Sequence, residues 1–507
     1  MKKILDKMFN RVLITAVLVI LQVLWLFGTF WKLSQYAVWI NAALTVLSVL
    51  MVLYLIRKDV NPAYKIAWIL LCCLVPLLGG AMYLVFGDKR PGKRMRQRME
   101  AVQQKHIAAL GQPDGVQPQL DGRCETLSRY LSHYGPAPAW DHTRSDYFAL
   151  GDDAYVRMLE DLEQARHFIF LEYFIISEGE MWRSIFDVLQ RKARAGVDVR
   201  LIYDDVGSAN TLPKWFIAKL EKSGIHCIPF NPMVPLLAIV MNHRDHRKIL
   251  VIDGCVGYTG GINLADEYIN RLDRFGHWKD TAVRLEGAAV WNLTVTFLNM
   301  WNVFRPTDES YDAFRPQANC LRLPETDGIV QPYADSPLDE ERLAENVYLD
   351  ILAQAQRYVY IFTPYLIIDN ELMTALELVA KRGVDVRIAV PGVPDKPVVY
   401  RLTRSYFAPL LRAGVKIYTY TPGFLHAKSF VCDDRLATVG TVNLDYRSLY
   451  LHFENGVLFS GCSMIRDLKQ DCLDTFRISH LVTLQECRTG FFGTLLDDLL
   501  RLFSPLL

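Results

Sequence analysis

At 507 residues and 51% hydrophobic side chains, the chain is long enough for a membrane segment and two domains with separate cores, which excludes a disordered or peptide-scale protein. Its 56 basic and 55 acidic residues leave a net charge of +1, so bulk electrostatics give no support to a nucleic-acid partner. The ten cysteines show no Cys-x-x-Cys spacing, which points to reduced thiols and to no metal site.

Three apolar stretches open the chain, at 12–31, 36–56 and 66–86, each long enough to cross a bilayer. Trp31, Tyr36 and Tyr83 lie near their ends, as interfacial aromatics do. Two further apolar spans and no small-residue cleavage site argue against a signal peptide. The expectation is a multi-pass transmembrane region over 1–88. Lys2, Lys3, Lys7 and Arg11 favour a cytoplasmic N-terminus, and the basic run Lys89, Arg90, Lys93, Arg94, Arg96 and Arg98 favours a cytoplasmic catalytic region. Three full crossings do not satisfy both, and Pro76, Gly79 and Gly80 make the third segment the candidate for a kinked or re-entrant element. The basic run, in a linker over 89–120, reads as a contact with anionic lipid headgroups or as a topology signal.

Strand and helix signals then alternate, and an internal repeat emerges. FIFLEYF (168–174) and AGVDVRLIY (195–203) are strand patterns around a helix; YVYIFTPY (358–365) and RGVDVRIAV (382–390) repeat the arrangement. The order implies a duplicated α/β domain, over 121–320 and 321–507. One copy carries an insertion: Phe230 stands 16 positions before His246, whereas Tyr420 stands 6 before His426. The added residues include Met233, Val234, Leu236, Leu237, Ile239 and Val240, and suit either lipid contact or core packing.

Each copy closes on the same motif. His246, Lys248, Asp253, Gly260, Gly261 and Asn263 recur as His426, Lys428, Asp433, Gly440, Thr441 and Asn443. Two half-sites of this kind suit phosphoryl transfer. One neutral imidazole attacks phosphorus and holds the group covalently, while a second, protonated imidazole protonates the departing alkoxide. Lys248 and Lys428 face the charge that builds on the non-bridging oxygens, Asn263 and Asn443 add donors, and no metal or cofactor is required. Asp280 and Glu454, each at the start of an apolar stretch after a motif, are expected to orient the imidazoles. Asp253 and Asp433 fall at strand-to-turn junctions and serve the local fold as well as the chemistry. His243, His277 and His452 read as structural or headgroup contacts. The closing residues 491–507 form an amphipathic pattern expected to dock on the second domain.

These motifs, with NHRDHRKILVIDGCVGYTGGINLADEY (242–268), FGHWKDTAVRLEG (275–287) and FLHAKSFVCDDRLATVGTVNLDYRS (424–448), make the chain resemble the phospholipase D superfamily and, within it, the bacterial cardiolipin synthases. The resemblance implies two α/β domains, each a mixed sheet flanked by helices, related by a pseudo-twofold axis with the active site between them. It implies a multi-pass cell-membrane enzyme that makes cardiolipin and glycerol from two phosphatidylglycerol molecules through a phosphohistidine, with one of His246 and His426 as nucleophile and the other as acid and base; His246 is the choice for the nucleophile. Gly261 and Thr441 stand where many relatives have Ser. The rivals are a hydrolytic phospholipase D, a transferase using another alcohol, a nuclease, which the near-neutral charge disfavours, and an inactive scaffold.

Overall fold

The computed structural model describes residues 20–25, 28, 34–58, 60–87, 93–110, 122–232, 243–308, 310–316, 327–338 and 341–506. The chain forms two compact units. One holds the N-terminal helices together with the C-terminal helix. The other runs from Lys93 to Gly490, apart from the 233–242 insertion.

In the first unit, helices span Ser34–Arg57, Pro62–Leu74 and Pro76–Phe86. The second of these starts under an Asn61 cap, whose Oδ1 accepts from Ala63 N at 2.9 Å, with proline at its first position. The third expected span is thus no continuous helix. It breaks at Val75 (φ −137°), because Pro76 lacks an N–H and its ring disfavours a helical residue before it. The two short helices pack together, with Trp68 edge-on to Tyr83 at 5.3 Å and Tyr64 Oη donating to Gly87 O at 2.8 Å. Gly79 makes this possible, since a Cβ there would lie 2.5 Å from Leu71 O. Among the described residues no helix is long and apolar enough to cross a membrane. Most of 12–31, the start of the basic run and the 233–242 insertion lie outside the described residues. The closing helix, Phe491–Phe503, groups with the N-terminal helices and packs on Pro62–Leu74, whereas the sequence places it with the second α/β domain.

The second unit contains the duplicated domains. The first has strands β1 (Thr143–Phe148), β2 (Phe168–Tyr173), β3 (Asp198–Asp204), β4 (Ile225–Phe230), β5 (Lys248–Ile252), β6 (Val256–Gly260), β7 (His277–Lys279) and β8 (Ala282–Gly287). Its sheet runs β1-β8-β6-β5-β2-β3-β4. Strands β2, β3 and β4 pair in parallel through crossover helices, and the rest are antiparallel. The second domain adds β9 (Ile329–Asp335), β10 (Tyr358–Phe362), β11 (Leu366–Ile367), β12 (Asp385–Pro391), β13 (Lys416–Tyr420), β14 (Gly423–Leu425), β15 (Ser429–Cys432), β16 (Leu436–Gly440), β17 (Leu444–Asp445), β18 (Glu454–Ser460) and β19 (His480–Leu481). Its order, β9-β18-β16-β15-β10-β12-β13-β19, repeats the first sheet with one strand added at the edge.

Crossover helices follow the expected amphipathic pattern; in Glu180–Arg194 the buried residues Met181, Trp182, Ile185, Phe186, Val188 and Leu189 form one stripe. Helix Val290–Phe304 differs, being apolar nearly all round. It is buried in a core shared by both domains, where Phe297 stacks on Phe170 at 4.6 Å and the cluster continues through Val431, Val457 and Phe459. The stretch expected as a basic linker holds a helix, Lys93–Leu110, that lies along Val290–Phe304, with Trp291 Nε1 donating to Ala109 O at 2.8 Å. Eight described cysteines are free thiols, but Cys255 is disulfide-bonded, which departs from the all-reduced expectation. Pairing depends on spatial approach, which spacing along the chain does not show.

Candidate active site

Both motif histidines sit just before the strand that turns antiparallel to the central parallel set, β5 for His246 and β15 for His426. Two short parallel pairings join the domains there: β14 with β7, and Asp245 with Phe453. Through them the His426 N–H donates to Lys279 O at 2.7 Å and the His246 N–H donates to Phe453 O at 2.9 Å. The residue after each acceptor is the expected orienting carboxylate. His426 Nδ1 lies 2.6 Å from Asp280 Oδ2, and His246 Nδ1 lies 2.9 Å from Glu454 Oε2. Each imidazole is therefore held, by backbone and by side chain, from the opposite domain. The sequence suggested the two carboxylates but contained no sign of the exchange.

The surroundings fix the charges. Burial holds His246 down to about 3 and His426 well below the usual imidazole range, with Lys428 pushing His426 further the same way. Both rings are neutral in the protein alone, and each Nδ1–H donates to its carboxylate, which leaves Nε2 with a lone pair. Burial opposes ionisation of Glu454, but His246 and His452 outweigh it and hold the carboxyl well below its ordinary range. Burial dominates at Asp280 and lifts it to about 6 against the pull of Lys428. Burial also lowers Lys248 to about 7 and Lys428 to about 8. Lys248 acts on His426, and Lys428 acts on Lys248, so the two half-sites form one electrostatic unit.

Each lysine ammonium is tethered to the carbonyl of its own histidine. Lys248 Nζ donates to His246 O at 2.6 Å, and Lys428 Nζ donates to His426 O. Lys428 Nζ also lies 2.8 Å from His426 Nδ1, but that nitrogen's proton belongs to the closer Asp280.

The motif aspartates do not lie at this centre; their contacts are those of the local fold. Asp253 and Asp433 lie at the far end of strands β5 and β15; five residues of strand place Asp253 about 17 Å from the His246 end. Asp253 accepts from the N–H groups of Arg166, His167 and Phe168 at 2.8, 2.7 and 2.8 Å. Asp433 accepts from those of Gln356, Arg357 and Tyr358 at 2.7, 2.8 and 2.9 Å. Both have left-handed backbones (φ 52° and 54°), which aspartate tolerates in a tight turn. They tie the start of each domain's first parallel strand to the turn beyond the motif.

Asn263 is likewise engaged within the protein. Its Oδ1 accepts from Ile175 N at 3.0 Å and its Nδ2 donates to Tyr268 Oη at 2.6 Å, and the Tyr268 ring meets His426 edge-on at 5.5 Å. Asn443 differs: its buried Oδ1 has no hydrogen-bond partner among the described residues. His243 contacts the backbone, its Nδ1 lying 3.0 Å from Leu451 O, and His277 pairs with Tyr420 Oη at 2.9 Å.

Sequence reasoning missed several supports. The Thr441 hydroxyl donates to Glu454, while a Cβ at its counterpart Gly261 would run into Asp280 Oδ1. Arg247, the residue inside the first His-x-Lys, is buried between Glu172 at 2.7 Å and Asp245 at 3.0 Å, which pins the strand entering the site. Lys279 is held by Asp471 of the second domain at 2.7 Å. Among the described residues two acidic or histidine groups lie close enough together to hold a metal, His246 with His452 and Glu454, and Glu345 with Asp369 and Glu371. In the first, His246 already hydrogen-bonds Glu454, and in the second Tyr450 Oη bridges Glu345 and Asp369.

Comparison with known proteins agrees with this geometry. A family model described as "Cardiolipin synthase, PLD-like domain" matches twice, at 158–283 and 348–473, and one described as "Phospholipase_D-nuclease N-terminal" matches 46–87. An uncharacterized protein of Streptococcus mutans is 43% identical, over 90% of this chain and 99% of its own. Cardiolipin synthase 1 of Bacillus anthracis is 32% identical over 92% of this chain and 93% of its own, and the cardiolipin synthase of Halalkalibacterium halodurans 32% over 99% and 100%. The crystal structure of phosphatidylserine synthase from Haemophilus influenzae superposes with a TM-score of 0.56 at 16% identity, over 75% of this chain and 97% of that one, which is a likeness of fold. With both domains matched and full-length relatives above 30% identity, the chain belongs to the cardiolipin synthase family of proteins with paired phospholipase D-like domains.

Proposed function

We propose that this protein is a phosphatidyltransferase that makes cardiolipin and glycerol from two molecules of phosphatidylglycerol. The observation that carries the reading is the exchanged pair of dyads, His246 with Glu454 and His426 with Asp280, beside two buried lysines. The relatives named cardiolipin synthase support the choice of lipid.

In this reading the Nε2 lone pair of His246 attacks phosphorus, the bond to the headgroup glycerol breaks, and His426 gives its Nε2 proton to the departing oxygen. His426 then takes the proton of a hydroxyl on a second phosphatidylglycerol, whose oxygen displaces His246. His426 must be protonated at the start, although burial keeps it neutral in the protein alone. The diester anion supplies the missing negative charge, so the proton enters with the substrate. Lys248 and Lys428 gain full charge in the same way and neutralise the phosphoryl oxygens. Asn443, with its open Oδ1, is a headgroup or positioning contact in this scheme.

The N-terminal unit serves as the membrane attachment, with the catalytic domains on the cytoplasmic side of the cell membrane. Val46, Leu47, Val49, Leu50, Leu53 and Ile56 are exposed on one helix, a larger apolar surface than a water-facing helix carries. Arg96 and Arg98, exposed at the start of Lys93–Leu110, continue the basic run toward anionic headgroups.

The test offers purified protein vesicles of labelled phosphatidylglycerol. Cardiolipin and glycerol in equal amounts are expected. Phosphatidic acid as the sole lipid product would replace the transferase with a hydrolase.

A further inference from the structure

The match between the two domains is broken beside the chemistry by one pair of aromatic rings. Two residues before Asp280 stands Trp278, whose ring packs against His426 at 5.5 Å. Two residues before Glu454 stands His452, whose ring packs against His246 at 5.6 Å. The first domain supplies an indole where the second supplies an imidazole.

His452 is unusual in its own right. Its side chain is only 10% exposed, yet neither ring nitrogen has a hydrogen-bond partner. Its Nδ1 faces Glu454 Oε1 at 3.6 Å, an ion-pair distance beyond hydrogen-bond reach. A buried imidazole with two open nitrogens is costly unless something else binds it. A phosphorus atom in attack position would sit about 3–3.5 Å from His246 Nε2, and the His452 ring lies 5.6 Å from the His246 ring.

We propose that His452 is a substrate-binding residue that hydrogen-bonds a hydroxyl of the glycerol headgroup on the His246 side of the cleft. The Trp278 side then offers an apolar wall, so the two headgroup positions differ in polarity although the catalytic dyads match. His452 acts as a specificity determinant: it favours a polyol headgroup and holds it where water would otherwise enter. This rests on the phosphatidylglycerol reading above.

The experiment compares wild type, His452→Phe and His452→Asn in vesicles of phosphatidylglycerol, following glycerol release, cardiolipin and phosphatidic acid. His452→Phe, which imitates the Trp278 side, is expected to raise KM for phosphatidylglycerol about 10-fold, the loss of one hydrogen bond, with a smaller change in kcat. It is also expected to increase the share of phosphatidic acid. His452→Asn, which keeps a donor and an acceptor, should restore most of both. Unchanged KM and product ratio in His452→Phe, in enzyme whose melting temperature matches wild type, would overturn the proposal. So would an equal loss of kcat in both variants, which marks a support for Glu454 instead of a headgroup contact. If His452→Phe unfolds, the Asn variant decides, since a purely packing role predicts no rescue of KM. Wild type that releases glycerol without forming cardiolipin would sink the transferase reading alone, because KM measured by glycerol release still judges His452.

Discussion

His246 is held by Glu454, a residue 208 positions away in the other domain, through a 2.9 Å contact at Nδ1. With the reciprocal contact of His426 and Asp280, neither domain contains a complete half-site. The carboxylate fixes the tautomer that leaves Nε2 free and stabilises the charge that forms on the ring. Glu454→Gln keeps the shape and removes that charge, so kcat should fall by roughly 10³–10⁴-fold with the melting temperature little changed. Asp280→Asn should behave alike. Steady-state turnover of phosphatidylglycerol checks both, and retention of more than about a tenth of the activity in either would detach that carboxylate from the mechanism.

The buried charges set a narrow pH window. Asp280, raised to about 6, must be ionised to hold His426, so kcat/KM should fall as pH drops through that value. Lys248 and Lys428, lowered to about 7 and about 8, must be protonated to receive the diester anion, so kcat/KM should fall again as pH rises through that range. His246, held at about 3, stays neutral throughout and contributes neither limb. A pH profile of kcat/KM on vesicles of fixed composition should be bell-shaped. In kcat the alkaline limb should move upward, because bound substrate restores the charge on the lysines.

How much of this was legible in the chain depended on whether the signal was local. The duplicated strands, GVDVR words and His-x-Lys motifs are local patterns, and the two sheets with their matched orders follow from them. Asp280 and Glu454 were also visible, as carboxylates at the head of apolar strands. Their exchange between domains was not, because pairing across 146 and 208 positions is decided by docking. The break at Pro76 had a local cause and could be anticipated, whereas apolar content alone suggested a single span over 66–86. The docking of Phe491–Phe503 was misjudged for the same reason as the exchange: an amphipathic stripe does not name its partner.

Asp253 and Asp433 share the motif with the catalytic pair, yet each binds three backbone N–H groups of its own domain. Asp253→Ala should therefore act on stability, by about 3 kcal/mol, through lost charge-assisted bonds and a strained left-handed alanine. Urea or thermal unfolding should show the loss, while the folded fraction at low temperature keeps a kcat close to wild type. A kcat reduced 100-fold in fully folded protein would return Asp253 to the chemistry.

Gly261 and Thr441 occupy matching positions with opposite requirements. The Thr441 hydroxyl donates to Glu454 and leaves both carboxylate oxygens engaged, so Thr441→Ser should be nearly silent and Thr441→Ala should lower kcat about 10-fold. At Gly261 a Cβ would collide with Asp280 Oδ1, and the collision is resolved only by moving the carboxylate away from His426. Gly261→Ala should consequently resemble Asp280→Asn, with a large loss of kcat and little change in KM, although alanine adds no charge and removes no hydrogen bond. The same substitution should weaken the acid limb of the pH profile, since a displaced Asp280 no longer governs His426. Near-normal turnover in Gly261→Ala would mean that the His426–Asp280 contact is not what sets the rate.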